Sequence, residues 1–352
     1  MGGFSLALAV GAAGGWVSAK LNIPLPWMIG AMCATTVAAL AGAPLRIPAK
    51  LRSLMIAVLG TMLGSTFTPE IAAGLLRWWP SLAALLLLTV LVMAVVAPLL
   101  ARAPGFNPAA AFFGSAPGGL SEMVFLGSHL GGDERRMSLI HSVRILITVL
   151  LIPLWFRLYQ GYVPGSVQSL GGLADLGLGD GAILAACTVI GFALGRALRI
   201  PAAPLIGPMI LSAAAHLAGI TQASPPAEIV NIAQIVIGAG IGARFVGFDV
   251  RRVFGTMLIG AGVTVIMLAL AVGAALALER LTALPFTALI LAFAPGGFAE
   301  MALISLSLGI DTAFVSMHHF ARMVFLVMLA PVAFRATQGL LAMIGAGRRG
   351  DG

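Results

Sequence analysis

Ser115-Ala116-Pro117-Gly118-Gly119-Leu120-Ser121-Glu122-Met123 recurs as Phe293-Ala294-Pro295-Gly296-Gly297-Phe298-Ala299-Glu300-Met301. A constant spacing of 178 residues joins Pro117 to Pro295, Glu122 to Glu300, Asp133 to Asp311, Arg144 to Arg322 and Pro153 to Pro331. Nearer the start, Gly14, Pro24, Gly30 and Met32 recur at a spacing of 177 as Gly191, Pro201, Gly207 and Met209. The chain therefore reads as one unit written twice. In each copy a Pro-Gly-Gly break followed by a Glu interrupts an apolar stretch. Duplicated apolar halves with matching interruptions point to the binding region of a secondary transporter.

Of 352 residues, 60% are hydrophobic and only 9% charged, with a mean hydropathy of +1.07. Soluble domains carry about 25% charged residues, so this composition specifies a polytopic membrane protein. The net charge of +8 suggests a polyanion partner, but the basic residues are scattered singly or in pairs between apolar spans. That is loop charge beside a membrane and argues against nucleic acid. Cys33 and Cys187 are not repeat partners, form no C-x-x-C pair and read as buried thiols. The first apolar stretch has no positive charge before Lys20 and is read as a retained span.

Each half holds six apolar stretches, near 3–19, 24–43, 53–68, 79–101, 107–131 and 137–156, then 181–195, 201–220, 228–246, 254–278, 285–309 and 312–334. The boundaries place a first membrane repeat at 1–157, a Gly/Ser-rich linker at 158–179, a second repeat at 180–337 and a cytoplasmic tail at 338–352. The positive-inside rule decides whether the fifth stretch of each half crosses. If all twelve cross, the 18 Lys and Arg outside the spans divide nine against nine. If the two Pro-Gly-Gly stretches are re-entrant, one side keeps Lys20, Arg77, Arg157 and Arg280, and the other collects fourteen. The biased count selects an all-α fold of two inverted repeats, each five transmembrane helices plus one re-entrant hairpin, with both termini cytoplasmic.

A hairpin tip at mid-membrane leaves backbone groups to be satisfied by protein or a wet cavity. Glycine permits a turn there, and proline suits the first turn of the helix that follows. Helices starting near Leu120 and Phe298 would aim free N–H groups and their positive dipole ends at the membrane centre, favouring an anion. The substrate-binding candidates are Ser115, Gly118, Gly119, Ser121 and Arg144 of the first copy and Gly296, Gly297 and Arg322 of the second. Polar contacts should come mainly from the first tip, because Ser115 and Ser121 are replaced by Phe293 and Ala299. Ion pairs Glu122–Arg144 and Glu300–Arg322 are expected, since lone charges at this depth are costly. Those pairs either pin hairpin to helix or serve function, with the arginines as anion ligands and the glutamates as proton carriers. His141 and His319 lie three residues before their arginines, on the same helical face, as proton-coupling candidates or as hydrogen-bonded packing residues. Asp133 and Asp311 read as helix N-caps.

No catalytic residue is assigned, and no metal or cofactor is expected. The histidines, cysteines and carboxylates lack metal-ligand spacing, and neither G-x-S-x-G nor a phosphate loop is present. The chain is read as not an enzyme.

The duplicated A-P-G-G-x-x-E-M segments, the H-x-x-R helices behind them and the P-x-x-x-x-I-G-x-M segments (Pro24 to Met32, Pro201 to Met209) resemble the AbrB-type family of bacterial membrane proteins. The resemblance covers essentially the whole chain and implies a membrane duplication domain. It also implies labels carried by family members, regulator of gene expression and ammonia monooxygenase. The small DNA-binding regulator that shares the family's name does not resemble this chain. Two re-entrant hairpins are also similar in topology to carboxylate and glutamate symporters. The reading that results is a transporter of the bacterial inner membrane for a small organic anion or zwitterion. Its partners are the lipid bilayer and that solute, with room for a homodimer. Membrane-embedded regulation is the alternative, and monooxygenase chemistry is disfavoured.

Overall fold

The computed structural model describes residues 2–68, 75–161 and 171–346. The middle of the expected linker and the end of the expected tail lie outside these. Among the described residues the protein is all helical, with fourteen α-helices. The first half contributes α1 (Gly2–Lys20), α2 (Pro26–Leu40), α3 (Ala49–Gly64), α4 (Trp79–Ala101), α5 (Pro108–Ser115), α6 (Leu120–His129) and α7 (Glu134–Tyr159). The second contributes α8 (Leu178–Ala197), α9 (Ala203–Leu217), α10 (Ala227–Gly242), α11 (Val250–Leu281), α12 (Phe286–Phe293), α13 (Phe298–Ser307) and α14 (Thr312–Ala346).

Seven helices are long and apolar enough to span a bilayer: α1, α4, α7, α8, α10 with its short 3-10 extension, α11 and α14. Their outward faces carry exposed Leu87, Val189, Leu258 and Met328. Such side chains are stable against lipid and not against water. This is a multi-pass membrane protein.

Two expected spans are shorter than their apolar stretches, and a third, α3, is as long as expected but starts four residues earlier, at Ala49. α2 and α9 have 15 residues and α3 has 16, which at about 1.5 Å per residue is less than the roughly 30 Å hydrocarbon core. The backbone before α2 and α9 explains the late starts. Leu25 and Ala202, the residues preceding those helices, both have φ 47°, and Asn22 and Arg199 have φ 51° and 54°. These four are the only non-glycine residues with positive φ among those described. They form two pairs at the 177-residue spacing already seen in the sequence, so the two loops share one strained conformation.

Two compact units emerge, and each draws on both halves. The first comprises residues 1–77, 150–249 and 302–313; the second comprises 78–149, 250–301 and 314–352. In the first unit α1 packs on α2, α8 on α9, α3 on α9 and α10 on α2. Glycines set these contacts. A Cβ on Gly30 would strike the Gly14 carbonyl, and one on Gly207 the Gly191 carbonyl. Gly60 and Gly64 lie against the carbonyls of Leu205 and Met209; Gly238 and Gly242 lie against those of Met28 and Met32. α3 of one half thus grips α9 of the other, while α10 grips α2 in return. Hydroxyl bonds reinforce the seam: Thr61 with Thr188 at 2.8 Å, Ser65 with Ser224 at 2.9 Å, and Ser212 donating to the Thr61 carbonyl at 2.7 Å.

The second unit holds α4, α5, α6, most of α7, α11, α12, the start of α13 and nearly all of α14. Its interior is aromatic at one end, where Phe112, Phe113 and Phe334 meet at centroid distances of 5.2 to 5.5 Å. Elsewhere Trp78, Phe314 and His318 cluster, with Trp78 edge-on to Phe314 at 5.3 Å.

Candidate functional site

Each Pro-Gly-Gly segment is a non-helical tip joining a helix of 8 residues to one of 10, and the two copies match in both lengths. In the first copy Ala116 and Gly119 flank the break in extended conformations. Asn107 begins α5, its Oδ1 accepting from the Ala110 N–H at 2.8 Å. Its Nδ2 donates at 2.6 Å to the carbonyl of Gly131, beyond the end of α6. Entry and exit of this helix pair therefore lie together, and the Pro-Gly-Gly is the far end of a hairpin.

The tip glycines are present for space. None of Gly118, Gly119, Gly296 or Gly297 has a positive φ, so conformational freedom, the expected reason, is not what they supply. A Cβ on Gly118 would lie 2.9 Å from Leu326 and one on Gly296 2.6 Å from Met301. A Cβ on Gly119 would strike Glu122 Oε2, and one on Gly297 would strike Glu300 Oε2. Nor does Pro117 occupy the first turn of α6: it lies in the break, before the N-cap Gly119.

The two arginines hold the tips from behind. Arg144, 1% exposed, donates from Nη1 to the Ala116 carbonyl at 2.7 Å and from Nη2 to the Gly118 carbonyl at 2.8 Å. Arg322 does the same at the 178-residue spacing. It donates from Nη1 to Ala294 at 2.8 Å, with longer contacts to Phe293 at 3.4 Å and from Nη2 to Gly296 at 3.5 Å. This corrects the expected ion pairs: neither Glu122 with Arg144 nor Glu300 with Arg322 is within ion-pair distance. The physical reason is that the break strips the tip carbonyls of their helical partners, and a guanidinium fork answers two carbonyls at once. Carbonyls carry no charge, so neither guanidinium is neutralised by the groups it grips. Both tips and both arginines lie within the second unit.

The glutamates follow the tips, third in α6 and α13. Glu122 is half-buried and Glu300 is buried, and each folds its carboxylate back over the glycine that precedes its own helix. His319 is locked: its Nε2 donates to the Leu291 carbonyl at 2.9 Å, while Nδ1 accepts from Arg322 Nη2 at 2.8 Å. That pattern fixes the neutral Nε2–H tautomer and makes His319 a support for Arg322, stacked on Phe298 at 6.2 Å. His141, its repeat partner, is buried on α7. Ser115 is buried, but its hydroxyl donates back to the Phe112 carbonyl at 2.6 Å. Ser121, second in α6, is exposed. Asp133 caps α7 as expected, accepting from the Arg136 N–H at 3.0 Å and pairing with its Nε at 3.3 Å.

The sequence reading missed one buried polar contact. His318 Nε2 meets Ser81 Oγ at 2.9 Å, and Ser81 donates to the Trp78 carbonyl at 2.8 Å. Ser81 has no signal of its own in an apolar helix, and His318 has no repeat partner.

Comparison with known proteins adds a family. A family model described as "Transition state regulatory protein AbrB" matches residues 27–338. The chain is similar to "Uncharacterized protein YhjN" of Bacillus subtilis (strain 168), 28% identical over 350 residues, covering 93% of this chain and 91% of that one. It is also similar to "Putative regulator AbrB" of Escherichia coli (strain K12), 25% identical over 333 residues, covering 90% of each.

Proposed function

Since this chain belongs to the AbrB family, we propose that it is a secondary transporter of the bacterial inner membrane, carrying a small organic anion or zwitterion held at its two Pro-Gly-Gly tips. One observation carries the reading: two buried arginines, Arg144 and Arg322, clamp matching Pro-Gly-Gly tips inside a single compact unit. Non-helical backbone at membrane depth is tolerated where it lines a site, and helix starts aimed at that depth favour negative charge.

The topology we propose is two inverted repeats of five crossings, with α5–α6 and α12–α13 as re-entrant hairpins and both termini cytoplasmic. The Asn107–Gly131 closure, the matched helix lengths and the reciprocal glycine contacts of the first unit support it. The hairpin placement also concentrates the positive loop charge on one side.

The relative named as a regulator supplies a second reading, a membrane protein that alters gene expression without transport. Flux separates the two. Protein reconstituted in liposomes should move at least one member of a panel of labelled carboxylates and amino acids down an imposed gradient. Flux indistinguishable from empty liposomes across the panel would contradict the transporter reading. If the glutamates carry the coupling proton, flux should depend on pH near neutrality, and Glu122→Gln with Glu300→Gln should remove that dependence. The other titratable groups buried on the two arginine-bearing helices are Arg144, Arg322, His141, His319 and His318. A pH profile unchanged in the double variant assigns the proton to a histidine among these and ends the carrier role of the glutamates.

A further inference from the structure

The second unit carries a groove on its outward side. It has a volume of about 540 Å³ and runs between α4 and α14, with Phe112 of α5 in its floor. Volumes of roughly 300–1,000 Å³ are usual where a protein seats a small organic molecule. The walls are hydrocarbon. Thr337 is the one polar side chain among the described lining residues, and its hydroxyl donates to the Ala333 carbonyl of its own helix at 2.9 Å. A ligand that buried polar groups there would find no side chain to satisfy them.

Both ends of the groove can be placed. Leu326 lies at the level of the first tip, since a Cβ on Gly118 would come within 2.9 Å of it. Towards its other end α14 passes the base of the same hairpin, where Phe334, Gln338 and Gly339 border a recess with Asn107 and Gly131. From Leu326 to Leu340 the groove follows α14 for roughly 20 Å at about 1.5 Å per residue. That is comparable with one leaflet's share of a hydrocarbon core roughly 30 Å thick.

Two observations fix the occupant. First, the groove is continuous with the lipid-facing surface: Val90, Val332 and Leu340 line it and are each more than half exposed, as are Leu87 and Met328 on the same two helices. Second, its mouth is positive. Arg102 follows α4 one turn beyond Pro98, its N–H bonded to the Pro98 carbonyl at 3.2 Å. Arg335 falls between the lining residues Ala333 and Thr337, and both arginines are exposed. Neither α4 nor α14 contains an acidic residue, and Asp133, near the hairpin base, pairs with Arg136. Basic side chains at a membrane surface attract anionic headgroups.

We propose that this groove seats one acyl chain of an anionic phospholipid. The chain runs from the hairpin base to tip level against Phe112 and Leu326, and the phosphate lies at Arg102 and Arg335. The inference goes beyond the transport reading and holds whatever solute the tips carry. A second copy of the chain is a poorer occupant. A two-fold contact through this face would set the same arginines against one another, with no acid on α4 or α14 to offset them.

The test is native mass spectrometry of the full-length protein in detergent, titrated with phosphatidylglycerol or with phosphatidylcholine of the same chains. The wild type should retain one phosphatidylglycerol at lower lipid concentration than phosphatidylcholine, and phosphatidylglycerol should raise its thermal midpoint. Ala94→Phe/Ala333→Phe fills the groove from two exposed lining positions and should lose both effects. The two single variants carry the comparison should the double fail to fold. Leu258→Phe, exposed on α11 outside the groove, should keep both effects. Arg102→Gln and Arg335→Gln should each weaken phosphatidylglycerol about fivefold and leave phosphatidylcholine unchanged. Undiminished retention of phosphatidylglycerol by the filled variants overturns the site. Equal retention of the two lipids by the wild type overturns the anionic headgroup, and the proposal with it. A wild-type dimer that only the filled variants lose gives the groove to a second copy and overturns the proposal too.

Discussion

Gly207→Val is expected to yield no folded protein. The Gly207 Cα faces the Gly191 carbonyl across the contact of α8 with α9, and a Cβ would collide with backbone there. Backbone cannot step aside as a flexible side chain can, so the helices must separate. The loss would reach Gly195, whose own Cβ position lies 3.0 Å from the Ala203 carbonyl in the same seam. Overpacking in cores costs about 1–3 kcal/mol where side chains can adjust; here the contact is backbone on backbone, and the cost exceeds that range. Gly30→Val should fail in the same way against Gly14. Gly273→Val is the control, because nothing lies within 4 Å of its Cβ position. Detergent size-exclusion profiles read the outcome. A monodisperse Gly207→Val peak would mean that the α8–α9 contact is looser than described.

Arg144→Ala is expected to abolish solute binding and to loosen the first tip. Two hydrogen bonds to a charged donor are lost, each worth about 1.5–3 kcal/mol, and two buried carbonyls are left without their partner. Arg144→Lys should rescue little, because an ammonium cannot present the planar fork that spans Ala116 and Gly118. Arg322→Ala should be milder for stability, since its contacts to Phe293 and Gly296 are long. Denaturation midpoints together with a titration of the labelled solute panel on protein in nanodiscs check this. An Arg144→Ala protein that keeps wild-type affinity returns the arginine to a purely structural role.

The Pro-Gly-Gly breaks and the arginines were legible because both recur at one spacing. A buried arginine needs acceptors, and sequence offers the nearest carboxylate as the obvious one. The true acceptors, the carbonyls of Ala116, Gly118, Ala294 and Gly296, have no letter in the sequence. They are found only by asking where the backbone groups of a broken helix go. The grip of α3 on α9 was also missed, although a signal existed. Gly60 and Gly64, like Gly238 and Gly242, are small residues four apart in apolar helices, the pattern that lets helices approach closely. The lengths of α2 and α9 were overestimated because apolar stretches do not reveal where a loop such as Asn22 to Leu25 ends.

Cysteine accessibility is the most direct test of the inverted, hairpin-bearing topology. With Cys33 and Cys187 replaced, single cysteines go in at Ala103, before the first hairpin, and at Ser166, after α7, and intact cells are treated with an impermeant thiol reagent. A re-entrant α5–α6 places the two positions on opposite sides, so Ser166→Cys is labelled and Ala103→Cys is not until the cells are opened. Equal labelling of both would mean that the Pro-Gly-Gly segment crosses the membrane, that the repeats are parallel, and that the tips do not form the proposed site.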